Sequence, residues 1–144
     1  MTVIAWDGRT LAADKRACNG TMIATVTKIR RAPDGSLIGS AGNSDAGEEV
    51  MAWYERGADP KEFSDNMRNR DDFAGLLVIR PDGEVWKFER TPYPIRFSTP
   101  FAIGSGREFA MAAMYLGHDA RKAVEVACAL DCGCGNGVDQ LGLK

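Results

Sequence analysis

Thr2 stands directly behind Met1 and opens a strand-like run, Val3-Ile4-Ala5-Trp6. An initiator methionine is usually removed when the next residue is as small as threonine. Removal would leave a residue carrying both a free α-amine and a hydroxyl. That pair is a complete catalytic unit, because the amine can act as general base for the hydroxyl beside it. Many chains begin Met-Thr to no catalytic purpose, so the signal gains weight only from the segments that follow. These are Ala12-Ala13-Asp14-Lys15-Arg16, Val26-Thr27-Lys28-Ile29-Arg30-Arg31 and Ala102-Ile103-Gly104-Ser105-Gly106. A different chemistry is offered near the end of the chain, where Cys128, Cys132 and Cys134 cluster and His118 is the only histidine. Their types suit a Cys3His metal site, but the spacing is not that of a zinc ribbon. Cys128 completes the apolar face of a helical segment, a common place for cysteine. The cysteines read as core and loop thiols.

The elements that must hold these residues are legible in outline. Residues 2–6 form a first strand, Asp7-Gly8 suits a tight hairpin, and residues 9–14 return. A polar connection over residues 18–21 leads into a strand region at 22–31, rich in β-branched residues. Pro33-Asp34-Gly35 turns the chain into a short strand at 36–42. The period then changes: Val50, Met51, Trp53 and Tyr54 recur at helical spacing, with Ser44 or Asp45 as cap and Gly57 as stop. Pro60 opens a second short helix through Phe63 and Met67, with Asp59 as cap. Residues 73–80 and 84–89 make a hairpin about Pro81-Asp82-Gly83. Helices at 106–116 and 119–130 follow, and residues 134–143 are a last extended segment. Two antiparallel sheets with helices packed outside them accommodate this order. The expected class is α+β, arranged as a four-layer α/β/β/α sandwich.

At 144 residues the chain is one domain's worth, residues 1–144. That length buries about 68–70% of the unfolded surface in a single core. A net charge of −2 lacks the basic excess of a nucleic-acid footprint. No apolar run reaches the ~18 residues of a membrane span, and no charged leader with an apolar stretch marks a signal peptide. The expectation is a cytoplasmic protein with no nucleic-acid or membrane partner, whose four cysteines stay reduced.

Taken in order, the segments resemble the β-type proteasome subunits, and above all the bacterial HslV peptidase, of the N-terminal nucleophile (Ntn) hydrolase superfamily. Thr2-Val3-Ile4 resembles the exposed Thr-Thr-Ile start of that family. Leu11-Ala12-Ala13-Asp14-Lys15-Arg16 is similar to its second strand, and residues 26–31 to its Val-Lys-Lys-Val-Arg-Arg segment. Ile38-Gly39-Ser40-Ala41-Gly42 resembles the glycine-rich strand end beside the active site. Ala102-Ile103-Gly104-Ser105-Gly106 is nearly identical to its counterpart, and residues 131–139 resemble the Asp-Ser-x-Ser-Gly-x-Gly-x-Asp loop, with Cys134 in place of a serine.

The resemblance implies a threonine-type endopeptidase or amide hydrolase whose nucleophile is the processed Thr2. An α-amine with an unperturbed pKa of about 7.7–8.0 suits a base at neutral pH. Lys28 is implied beside it, disfavouring protonation of the amine and offering charge to the alkoxide, with Asp14 as counter-ion. Gly42 is implied to present a backbone N–H to the oxyanion, and Ser105 and Asp131 to orient the amine. Gly39 is implied at the base of the primary specificity pocket, leaving room for large side chains. Ordinary readings stand beside these: a surface ion pair for Asp14 and Lys28, a helix cap for Ser105, a helix end for Asp131. No cofactor is required. A sodium or potassium ion held by the backbone carbonyls of Leu130, Gly133 and Asn136 is implied. So are a peptide or unfolded-protein substrate, a homo-oligomeric ring and an ATP-dependent unfoldase. The alternative is a catalytically silent proteasome-like subunit acting as an assembly or binding module.

Overall fold

A computed structural model describes residues 1–144 apart from the side chain of Asn66. The opening hairpin forms as the Asp7-Gly8 turn dictates: β1 (Ile4–Trp6) pairs antiparallel with β2 (Thr10–Asp14). The Asp7 carboxylate accepts from the N–H groups of Arg9 and Thr10, closing the turn. A short hairpin of its own follows, β3 (Arg16–Asn19) with β4 (Met22–Thr25). Then come β5 (Ile29–Arg31) and β6 (Leu37–Gly42). Helix α1 (Ser44–Glu55), a single 3-10 turn (Pro60–Glu62) and α2 (Asp65–Asn69) precede the hairpin of β7 (Ala74–Ile79) and β8 (Val85–Phe88). Strands β9 (Ile95–Phe97) and β10 (Phe101–Ile103) lead to α3 (Arg107–Tyr115), α4 (Ala120–Leu130) and β11 (Val138–Gly142).

The strands assemble into two antiparallel sheets, ordered β10-β1-β2-β11 and β5-β6-β7-β8-β9, beside the separate β3–β4 hairpin. Strand alternation divides the buried side chains among three cores. Ile4, Trp6, Leu11 and Ala13 of the first sheet meet Ile29, Leu37, Leu77 and Ile79 of the second. The opposite face of the first sheet (Val3, Ala5, Ala12, Ala102) packs on Ala110, Ala113, Ala123, Val124 and Ala127 of α3 and α4. The opposite face of the second (Ile38, Ala74, Leu76, Val78) packs on Val50, Met51, Trp53 and Tyr54 of α1. Both faces of β1 and β7 are therefore buried, which is why their sequences are apolar throughout instead of alternating with polar residues.

The structure corrects several expectations. The strand region at 22–31 is two strands in different sheets, because residues 26–28 leave the β3–β4 ladder and carry Lys28 toward β2. Of the connection expected at 18–21, Cys18 and Asn19 belong to β3 and only residues 20–21 form the turn of that hairpin. The helix cap is Asn43, whose side chain accepts from the N–H groups of Asp45 and Ala46, not Ser44 or Asp45. Asp59 does cap, accepting from Lys61 N–H, but the helix after Pro60 breaks into the 3-10 turn and α2. Strands β9 and β10 have no counterpart in the sequence reading. Among the described residues, no helix is long and apolar enough to cross a membrane.

Candidate active site

β1 and β2 pair in a register that sets Ile4 opposite Ala13, so Thr2 and Asp14 emerge at the same end of the sheet. Asp14 is fully buried. Its Oδ1 accepts from the backbone N–H of Val3 at 3.0 Å and from Lys28 Nζ at 2.9 Å. Its Oδ2 accepts from the N–H groups of Arg16 at 3.2 Å and Gly135 at 3.1 Å. Four donors thus satisfy a carboxylate held out of water. The Lys28 side chain is only 8% exposed. Its ammonium also donates to Thr2 Oγ1 at 3.1 Å and to the Met1 carbonyl at 3.0 Å. The surface-pair reading of Asp14 and Lys28 is thereby excluded.

A second set of bonds reaches the main chain of Thr2. Thr2 N–H donates to Ser105 Oγ at 3.2 Å, and Ser105 Oγ donates to Asp131 Oδ2 at 2.7 Å. Asp131 further accepts from Gly133 N–H at 2.9 Å and from Cys134 Sγ at 3.4 Å. These bonds, Ser105 foremost, hold the Asp131 carboxyl below its ordinary pKa. Burial pushes the Cys134 thiol up to about 12, so it stays protonated and donates. Ser105 does not cap α3, whose cap position is Gly106 with no side-chain bond. Asp131 does terminate α4, while its carboxylate serves Ser105.

Gly104 lets these two sets come together. It has φ of +95°, and a Cβ there would lie 2.1 Å from the Thr2 carbonyl oxygen, so no other residue fits the approach. Gly106 N–H then donates to that same oxygen at 3.1 Å.

Thr2, 6% exposed, sits between two cavities, with Met1 and Gly42 bordering both. One, of about 370 Å3, runs between β6 and α1, with Lys28, Ser40, Glu48 and Met51 in its wall. The other, of about 410 Å3, is walled by Phe73, Gly75, Lys87, Glu89, Ser105 and Arg107. Gly42, at the end of β6, has φ of +128°, and a Cβ there would lie 2.4 Å from the Phe73 carbonyl oxygen. Its backbone therefore lies in the cleft next to Thr2.

Gly39 does not floor a pocket. A Cβ on it would meet Ile29 Cγ2 at 2.8 Å and Ile4 Cδ1 at 2.9 Å, so the space is filled by the core between the sheets. Its neighbour Ser40, on the other face of β6, lines the cavity instead. The sequence reading missed Ser40, Glu48 and Met51. Counting alternation from Leu37 would have put Gly39 on the core face and Ser40 on the α1 face.

Leu130 ends α4, and Gly133 and Asn136 lie in the loop before β11. Among the described residues, their carbonyls accept no loop or side-chain hydrogen bond. Those of Asp131, Cys132 and Gly135 are taken by Cys134 N–H, Arg16 Nη1 and Lys15 N–H. Backbone carbonyl oxygen is a donor of the type that suits hard cations. His118 and the cysteines do not combine: among the described residues, no three His, Cys, Asp or Glu side chains group as metal ligands.

No protein-family model and no curated protein sequence matches the chain. Solved structures do. Thiobacillus denitrificans BPH is 22% identical, with a TM-score of 0.73, over 100% of this chain and 99% of that one. The same protein in complex with epoxomicin gives 22% identity and a TM-score of 0.75 over the whole of both chains. Eukaryotic HslV from Trypanosoma brucei is 24% identical, with a TM-score of 0.72, over 97% of each chain. Mixed α and β with antiparallel sheets, agreeing with these structures over 97–100% of the chain, gives this chain a proteasome β-type, HslV-like fold.

Proposed function

We propose that the chain is a threonine-type endopeptidase whose nucleophile is Thr2 after loss of Met1. The observation that carries this reading is the convergence on one residue of Lys28 at its hydroxyl and Ser105 at its nitrogen. Freed from Met1, the Thr2 amine takes the proton of its own Oγ1, and the resulting alkoxide attacks the scissile carbonyl carbon. Lys28 stabilises the alkoxide and disfavours a second charge on the amine. Gly42 N–H donates to the oxyanion. The tetrahedral adduct collapses as the amine passes its proton to the departing nitrogen, leaving an ester on Thr2. Water, deprotonated by the same amine, hydrolyses the ester and restores the site. Ser105, held by Asp131, keeps the amine in position throughout. A sodium or potassium ion on the carbonyls of Leu130, Gly133 and Asn136 would brace the loop that carries Asp131.

The likeness to BPH, solved with epoxomicin, and to HslV supports a peptide or unfolded-protein substrate. It also supports a homo-oligomeric ring enclosing the sites in the cytoplasm, fed by an ATP-dependent unfoldase. Three successive cores support the four-layer α/β/β/α order within one domain, residues 1–144.

The alternative is a catalytically silent subunit, one whose Thr2 stays capped by Met1. With Met1 attached, the Thr2 nitrogen is an amide without basicity, and the Met1 carbonyl holds the Lys28 ammonium. The Met1 side chain, 68% exposed, lies against Gly133 beside the cleft. The two readings part on intact mass. Active protein is expected to lack one methionine, and a peptide epoxyketone should add to Thr2 in that form alone. Full activity with Met1 retained would refute the amine-base mechanism.

A further inference from the structure

The hydrogen-bond partners of Thr2 divide between the two cavities: Lys28 borders one and Ser105 the other. This division sets the direction of the substrate. The amine that takes the proton of Oγ1 must deliver it to the departing nitrogen, so the leaving segment lies on the side of the Thr2 nitrogen. That is the side of Ser105, where the cavity of about 410 Å3 opens, room enough for a residue or two of peptide.

The charges there are unequal. Lys87 Nζ is paired with Glu89 Oε1 at 3.0 Å. Arg107 donates Nη1 to the Gly104 carbonyl at 3.0 Å and, among the described residues, has no carboxylate within ion-pair distance. A guanidinium offers five N–H donors, so most of its capacity is uncommitted, and the Gly104 bond anchors it in the wall of the cavity that Thr2 also lines. The opposite cavity also holds one arginine without a carboxylate partner among the described residues, Arg16, but more of its donors are committed. Lys28 answers Asp14, Glu48 answers Arg30, and Arg16 spends Nε and Nη1 on Asn136 Oδ1 and the Cys132 carbonyl.

We propose that Arg107 receives a carboxylate from the leaving-side segment of the substrate, so that cleavage is selected just before an acidic stretch or near a chain's C-terminal carboxylate. The inference rests on Thr2 as the nucleophile, which gives the cavity its sense. Arg107 touches no reacting atom and acts on specificity alone.

Two measurements on protein lacking Met1 test it. The first is equilibrium binding of short leaving-side peptides, which needs no turnover: a peptide amide beginning with Asp, its Asn counterpart, and a neutral peptide with a free C-terminal carboxylate. The carboxylate-bearing peptides should bind about fivefold tighter than the neutral amide, the scale of a partly exposed, charge-assisted pair. Arg107→Gln should erase the difference and Arg107→Lys should keep part of it. Whichever carboxylate is preferred identifies its source. Equal binding of all three, or a preference that survives Arg107→Gln, overturns the proposal. The second is kcat/KM for matched substrates with Asp or Asn after the scissile bond, where Arg107→Gln should lower only the Asp value. Absence of turnover with every substrate would count against the threonine-hydrolase reading and leave the binding result to decide Arg107.

Discussion

Two supports reach Thr2 from opposite sides, and they are built differently. Asp14 and Lys28 are buried, with side chains 0% and 8% exposed, and the Asp14 carboxylate is tied to the backbone of three separate segments. Ser105 is exposed and Asp131 half-buried, in the turn before α3 and at the end of α4; besides one another they bond Thr2 N–H, Gly133 N–H and the Cys134 thiol. The buried pair joins β2, the residue-28 loop and the loop before β11, so it belongs to the fold as much as to the site. The less buried pair can be altered without leaving a charge stranded in a dry interior. The ammonium proposed to serve the chemistry is placed where the fold also depends on it. Fine positioning is placed where water can take over lost bonds.

That contrast is open to experiment. The largest effect is expected from Thr2→Ala, which removes the proposed nucleophile, the residue common to both supports. Turnover of peptide amides should fall by about a thousandfold or more, while urea denaturation remains close to wild type. Lys28→Ala should approach the same loss of turnover.

Asp14→Ala is the variant that distinguishes the two sides most sharply. It leaves the Lys28 ammonium and three backbone N–H groups without their acceptor, and should cost about 3–5 kcal/mol of stability in addition to activity. Unfolding at an unchanged denaturant midpoint would show that the buried pair is not structural.

Ser105→Ala should lower kcat by about ten- to a hundredfold, as expected when a positioning bond is lost, with little change in Tm. A large drop in Tm would erase the distinction drawn above.

The pH dependence of Asp131 gives a smaller, signed effect. Its folded pKa lies below the ordinary value of 3.8, so the stability it contributes is present above that value and is lost as pH falls through the folded pKa. Wild type should therefore exceed Asp131→Asn in thermal stability at neutral pH, and the gap should close below about pH 4. A constant gap down to acid pH would assign the effect to packing. Least affected should be Cys134. Protonated and 1% exposed, it should resist alkylation under native conditions while exposed Cys18 and Cys132 react, as mass spectrometry would show.

Much of the site was legible because its residues sit at local landmarks. Thr2 stands at the start of a strand, Asp14 at the end of its return strand, and Ser105 between two glycines before a helix. Spacing along the chain suffices for such places. Ser40 was not legible, because the choice between it and Gly39 depends on which face of β6 meets the other sheet. The break at residues 26–28 was hidden for a related reason. β-Branched residues favour extension on both sides of it, and only pairing decides that Met22–Thr25 joins β3 while Ile29–Arg31 joins β6. Strands β9 and β10 are short, and β9 lies at a sheet edge with exposed residues, so they carry little periodic signal.

By itself the sequence determined the opening hairpin, the hairpin over residues 73–89 and the helices α1, α3 and α4, since turn chemistry and hydrophobic period act over neighbouring residues. It also supplied the candidates for nucleophile, counter-ion and orienting serine. Tertiary structure alone decided that Asp14 is dry, that Lys28 bends back to Thr2, that two cavities flank the hydroxyl, and that Arg107 stands beside one without a carboxylate. Burial and charge balance depend on partners distant in the chain, brought together by sheet register, and no local pattern encodes them.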